Sequence, residues 1–475
     1  MRKRIVSFSN NSTFLMLVSL TIGLGIWYSP VPIGITTQAW HLFAIFFATI
    51  FAIITNPLPM GATSLIAIMV CSLTKTLSLE ECLSGFGSET VWLVVFAFFI
   101  SLGFIKTGLG SRCAYYFISK FGRSTLGLSY GLVLAELVLS PLIPSVTARG
   151  GGIIFPIAKS LCKSYGDETH TGVSSRTSAF IIEVCFQSNV ITSSMFLTAM
   201  AANPLVVKLA AGFGIDISWL LWAWAAIVPG LITLFLMPIF IYVLYPPTIK
   251  FSDTAPQIAL EKMKEMGSMT GKEFIMLITF FILILLWIMG AKYGISATMT
   301  ALIGLSILFL TKSINFEDAV SDKGAWHTFL WFATLVMMSS YLSKLGLMNV
   351  LGEHIKAILP SDNVTLATAL LFLIYFYVHY MFASTTAHIT VLYPTFLYVL
   401  ISYGQPPMLS ALILGLLSIL SGGITHFSLA SAPIFFGANY MKAKTWWYLG
   451  FMCSLMYLTV LFTAGMLWWK VIGLW

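Results

Sequence analysis

Charge is what this sequence has least of: Asp, Glu, Lys and Arg together make up 9% of its 475 residues. A soluble domain needs a charged exterior, and a single soluble core stops growing well below this length. Water-soluble enzymes and nucleic-acid binders are thereby excluded, and the formal charge of +8 is read as membrane topology instead. Cysteine is sparse as well. Cys71, Cys82, Cys113, Cys162, Cys185 and Cys453 are scattered, have no metal-ligand spacing, and read as packing residues. There is no HExxH and no Ser/His/Asp or paired-Asp arrangement on the apolar segments, so a membrane enzyme is disfavoured, and no cofactor motif is present. No small-residue cleavage site follows the apolar run near Thr13. The basic start "MRKR" therefore reads as the cytoplasmic tail of a first spanning helix and not as a removed signal.

What fills the chain is hydrocarbon: 58% hydrophobic residues and a mean hydropathy of +0.93. Apolar segments of about 20 residues recur from end to end, the mark of spanning helices. Trp446-Trp447 and Trp468-Trp469 sit at their edges, where interfacial aromatics belong. The expected class is an all-α polytopic membrane protein.

Two apolar blocks, 125–162 and 363–403, are too long for one helix and are interrupted by Pro, Ser and Thr. Each fits either a crossing and return or a re-entrant hairpin, and charge separates the two. With the N-terminus in the cytoplasm and both blocks as hairpins, 18 of the 25 Lys and Arg fall on the cytoplasmic side. Lys75, Lys208, Lys292, Lys344, Lys356 and Lys470 fall on the other, and Arg149 lies within a hairpin. That bias obeys the positive-inside rule. Full crossings would spoil it.

The expected organisation is a tail and first helix (1–35), a first half (36–247) with a cytoplasm-facing hairpin at 125–162, a cytoplasmic linker (248–271) with an amphipathic helix near 256–266, and a second half (272–475) with an outward-facing hairpin at 363–403. The halves echo each other. "SVTAR" (145–149) resembles "STTAH" (384–388), so Ser145 pairs with Ser384 and Arg149 with His388 at one constant spacing. Five spans per half is an odd number, which makes this an inverted repeat. Such repeats place a substrate site near the bilayer midplane.

At a hairpin tip in hydrocarbon, free N–H groups at the start of the second arm favour an anion. Ser145, Thr147, Ser384, Thr385 and Thr386 add hydroxyls, and Gly150, Gly151 and Gly152 allow close approach. A Ser/Thr-Pro helix kink is the competing reading. Arg149 cannot lose its proton, is costly to bury unpaired, and lies far from either end of its block, so it is expected to meet an anion. His388 reads either as a packed residue or as a second positive ligand. Two broken-helix stretches, 187–204 and 422–440, contribute Ser188, Asn189, Thr425, His426 and Pro433 as candidates, against plain small-residue packing. Glu136 and Glu183 either carry a proton or cation or pair with a basic group.

The segments "PSVTARGGGIIFPI" (144–157), "QSNVITSSMFLTAMAANP" (187–204), "FASTTAH" (382–388) and "THFSLASAPIFFG" (425–437) resemble the divalent anion/sodium symporter family, within it the citrate and 2-oxoglutarate/malate exchanger branch. The resemblance runs from about residue 36 onward. It implies an elevator-type transporter, usually a homodimer, in which both hairpins and both broken helices slide with the cargo. The family's Ser-Asn-Thr tips map onto Ser145, Thr147, Ser384 and Thr386, with Val146 and Thr385 at the middle positions. Val146 departs from the pattern and offers no side-chain hydrogen bond. The expected function is exchange of di- or tricarboxylates (malate, succinate, fumarate, 2-oxoglutarate or citrate) in a bacterial inner membrane. Arg149 and His388 would replace sodium charges, and no cofactor would be needed. The alternative is a sodium-coupled dicarboxylate or sulfate symporter on the same fold.

Overall fold

The computed structural model describes residues 2–164, 176–251, 253–347, 350, 352–354 and 363–475; Lys356, counted in the charge bias above, lies outside them. Helices dominate, and no strand forms among the described residues. The chain runs through α1 (Arg2–Trp27), α2 (Thr37–Thr55), α3 (Met60–Leu73), α4 (Leu79–Leu83), α5 (Glu89–Thr107), α6 (Leu109–Phe121), α7 (Thr125–Leu139), α8 (Phe155–Ser164), α9 (Arg176–Met195), α10 (Ala202–Ala211) and α11 (Trp219–Leu244). It continues through α12 (Thr254–Glu265), α13 (Gly271–Met289), α14 (Ala297–Leu310), α15 (Phe316–Val320), α16 (Lys323–Lys344), α17 (Val364–Tyr377), α18 (Thr385–Ser402), α19 (Pro407–Leu420), α20 (Ala432–Phe436), α21 (Ala443–Val460) and α22 (Met466–Val471).

Hydrocarbon permits little but helix, since each must satisfy its own backbone. Seven helices among the described residues are long and apolar enough to cross a membrane, and six shorter apolar ones accompany them. Two of the seven, Val364–Met381 and Thr385–Ser402, are the arms of the block expected at 363–403 as a hairpin. Breaks at 196–201 and after Leu420 leave α10 and α19 below spanning length. The linker helix expected near 256–266 is α12, packed on α6.

Breaks inside a helix free carbonyls, and side chains take them up. Pro229 has no N–H to offer Ala225 O, and the Trp469 indole donates to that oxygen instead at 2.9 Å. Trp468 Nε1 adds a 2.7 Å bond to the neighbouring Trp224 O. At the join between α9 and α10, Asn203 Nδ2 donates to Ser193 O and Phe196 O, both at 2.8 Å, and Trp222 donates to Ser194 O at 2.9 Å.

One end of the molecule is stitched through residues 248–273. Thr125, at the start of α7, donates from its N–H to Lys250 O at 3.0 Å. Thr177, at the start of α9, exchanges a 3.0 Å bond with Thr248. The chain therefore leaves this end at α7 and is back at it by α9. Arg112 forks onto Glu273 (Nε–Oε1 2.6 Å, Nη2–Oε2 3.2 Å) and donates to Gly267 O at this same end.

A turn recurs. Lys75 and Lys312 have left-handed backbones, φ 56° and 55°. Each follows a threonine, Thr74 or Thr311, whose hydroxyl donates four residues back at 2.7 Å. Capping boxes follow both turns, Ser78 with Glu81 and Asn315 with Asp318.

Candidate functional site

After Leu139 the chain abandons helix through Pro141 and Pro144, then rewinds from Thr147 to Ile154 as a wide π-helix leading into α8. Ser145 Oγ caps the new arm, accepting from Ala148 N–H at 3.1 Å and sharing a 2.9 Å bond with Thr147 Oγ1. Ser384 has the same role at the second tip, where its Oγ accepts from Ala387 N–H at 3.4 Å. The matched serines are thus helix caps, so each tip offers fewer free amides than its sequence suggests.

Arg149 is wholly buried, and four hydrogen bonds hold its guanidinium. Its Nε donates to Glu136 Oε1 at 2.6 Å, Nη1 to Ile143 O (2.6 Å) and Ala199 O (2.8 Å), and Nη2 to Ser193 Oγ (2.6 Å). A carboxylate on the other arm of the same hairpin thus pairs with the guanidinium that was expected to meet the cargo. The reason is desolvation, which makes a buried unpaired charge far costlier than a paired one. Glu136 is accordingly Arg149's partner. Glu183 has no basic partner among the contacts described; Gln187 Nε2 donates to its Oε1 at 2.7 Å.

Asn189 joins the two halves. Its Nδ2 donates to Glu136 Oε1 at 2.6 Å and to Val146 O at 3.4 Å, and its Oδ1 accepts from Ser431 Oγ at 2.8 Å. Gly150 lies so close that a Cβ there would sit 2.8 Å from Asn189 Nδ2. A Cβ on Gly151 would meet Ile434 Cδ1 at 2.6 Å, another contact from the first tip to the second half. Ser188, by contrast, turns back to its own helix and donates to Val184 O at 2.6 Å.

At the second tip, Thr385 Oγ1 donates to Ser428 O at 3.2 Å, while Thr386 stands half-buried. His388 Nδ1 lies 2.7 Å from His379 Nδ1, and His379 Nε2 lies 3.1 Å from Ser428 O. Because a carbonyl only accepts, His379 Nε2 carries the hydrogen. In neutral rings His379 Nδ1 is then an acceptor and His388 Nδ1 the donor to it. This leaves His388 Nε2 a buried acceptor with no hydrogen-bond partner. The ring expected to supply a second positive charge is thus held from behind by His379. Thr425 is buried in the unwound stretch after α19, where its N–H donates to Ser428 Oγ at 3.2 Å. His426 is half-buried and accepts from Trp447 Nε1 at 2.9 Å. Pro433 opens α20 and is exposed.

The structure thus brings Ser145, Thr147, Arg149 and Asn189 together at the first tip and Ser384, Thr385 and His388 at the second. Asn189–Ser431 ties the first group to the broken stretch whose Ser428 O holds Thr385 and His379 at the second tip. Ser188, His426 and Pro433 are not part of that network. Ser193, Ser428, Ser431 and His379 belong to it and were not among the expected residues. The signal for His379 was its place nine residues before His388, on the opposite arm. No group of three His, Cys, Asp or Glu able to hold a metal forms among the described residues.

The chain is 49% identical over 461 residues to the putative malate transporter YflS of Bacillus subtilis strain 168, covering 97% of this chain and 96% of that one. It is 46% identical over 463 residues to the chloroplastic dicarboxylate transporter 1 of Arabidopsis thaliana, covering 97% and 83%. It is 35% identical over 476 residues to the inner membrane protein YbhI of Escherichia coli strain K12, covering 98% and 99%. Among solved structures, the YdaH transporter of Alcanivorax borkumensis superposes with a TM-score of 0.56 at 13% identity over 98% of both chains, a likeness of fold alone. The family described as the sodium:sulfate symporter transmembrane region matches residues 10–475, so the chain belongs to that family and is a multi-spanning membrane transporter, not an enzyme.

Proposed function

We propose that this transporter exchanges dicarboxylates across a bacterial inner membrane without sodium, its N-terminus in the cytoplasm. Relatives named for malate and dicarboxylate transport support the substrate class. One observation carries the coupling argument. The oxygens around Arg149, two carbonyls, a hydroxyl and a carboxylate, are the ligand set a hard metal cation takes. Here the guanidinium fills that cage, and Asn189 Nδ2 takes Val146 O as well. A sodium ion at the first tip would have to displace a covalently attached cation. The dianion is met instead by the two tips, with their helix N-termini, the Thr147 and Thr386 hydroxyls, and His388.

The two matching lysine turns, 237 residues apart, support reading the halves (36–247 and 272–475) as an inverted repeat with a hairpin in each. The return of the first hairpin to the end it left supports the same reading. Both hairpins and both broken helices would then move as one elevator body against a homodimeric scaffold.

The test is counterflow in proteoliposomes loaded with unlabelled malate. Rapid uptake of labelled malate is expected, no uptake into empty vesicles, and no change when sodium is replaced by choline. A steep sodium requirement would transfer the protein to the sodium-symport alternative.

A further inference from the structure

A cavity of about 430 Å3 lies away from the tips. It opens between α16, the turn at Ser84–Ser88 before α5, the end of α10, and Pro394 of α18. This size is within the range of small-molecule sites. Among the described residues two cations line it, Lys208 and Lys344, and no Asp or Glu does. Under the proposed topology both lysines are on the face where the positive-inside rule disfavours them. Each is in the last turn of its helix, where it also complements the dipole. That role accounts for a lone lysine but not for the hydroxyls around it.

Ser339 is completely buried, lines the cavity, and its Oγ has no hydrogen-bond partner. Ser88, the N-cap residue of α5, also lines it. Its Oγ makes no capping bond and is likewise unpartnered. An unsatisfied buried hydroxyl is costly unless a ligand or water completes it. Lys344 Nζ is held 4.7 Å above the Tyr341 ring, which positions its charge at the wall.

We infer that this cleft is a second anion site: a vestibule where Lys208 and Lys344, with the Ser88 and Ser339 hydroxyls, capture a dicarboxylate before it reaches the hairpin tips. The inference rests on the dicarboxylate reading for its ligand. The cleft joins α10 and α18, which the elevator proposal assigns to the moving body, to α16 and the Ser84–Ser88 turn. A dianion bridging its two lysines would therefore bind best in the arrangement described here.

The test uses the full-length protein with Ser340→Cys, at the cavity wall, and Cys113→Ser, which removes the one native cysteine that is not buried. Labelling by a negatively charged thiosulfonate reagent is followed with and without malate. Malate is expected to slow labelling several-fold. Lys208→Gln with Lys344→Gln is expected to abolish that protection, to slow the anionic reagent about tenfold relative to a neutral one, and to raise the apparent KM for counterflow. Ser343→Cys, in the same cleft, replaces Ser340→Cys if the latter does not fold. Counterflow with no malate protection overturns the vestibule and leaves the transport reading standing. Protection without counterflow does the reverse. Sulfate or phosphate protecting as well as malate overturns the diacid assignment.

Discussion

Arg149 Nε stands 2.6 Å from Glu136 Oε1, so the second arm of the first hairpin is clamped to the first arm by a buried ion pair. His388 does the same at the second hairpin, reaching back to His379 at 2.7 Å. The basic residue that follows each tip therefore braces its hairpin from behind. At the first hairpin the brace is ionic, and at the second it is a bond between two rings.

Removing one half of the ion pair strands the other in a buried site, at a cost of about 3–5 kcal/mol. Arg149→Ala or Glu136→Ala should lower the melting temperature of the purified protein and abolish malate counterflow. The double variant Arg149→Met with Glu136→Leu should recover much of the melting temperature while counterflow stays lost. A double variant that exchanges malate at the wild-type rate would refute a functional role for the pair.

Gly150→Ala should abolish counterflow, because the new methyl group would lie 2.8–2.9 Å from the Asn189 amide, which three bonds hold in place. Gly151→Ala should be milder. Its methyl group would press on Ile434 Cδ1, the free end of a flexible side chain. Initial rates of the two variants side by side check the order, and the reverse order would count against Asn189 as the joint between the halves.

At His388 the position of the donor nitrogen decides the outcome. Asparagine can place its amide nitrogen where Nδ1 donates to His379, and alanine cannot. His388→Asn is expected to keep more exchange activity than His388→Ala, measured as initial counterflow rates. Equal loss in both would assign the function to the unpartnered Nε2 instead of the brace.

The class of the protein was legible in its composition, since nothing soluble carries so little charge. The tips were legible because Pro, Gly and hydroxyl residues interrupt apolar blocks, and hydrocarbon punishes any interruption without a purpose. The partner of Arg149 was harder to read. Glu136 lies 13 residues earlier, which means little along a helix but is directly opposite once the chain folds back near residue 142. The Asn189–Ser431 bond was out of reach, because 242 residues separate the two and no periodicity connects them. Ser188 shows the opposite error. Its neighbour Asn189 faces the tip, so its own side chain is turned about 100° away on the helix, and it bonds Val184 O instead.

A counter-ion fastened to the backbone cannot be drawn down by the cell's electrochemical stores. If the cage around Arg149 is the only cation seat at its tip, ionic batteries have no grip on this carrier. Net flow would then stop wherever the ratios of the exchanged acids inside and outside become equal, and a metabolic shift that reverses those ratios would run the same protein backwards.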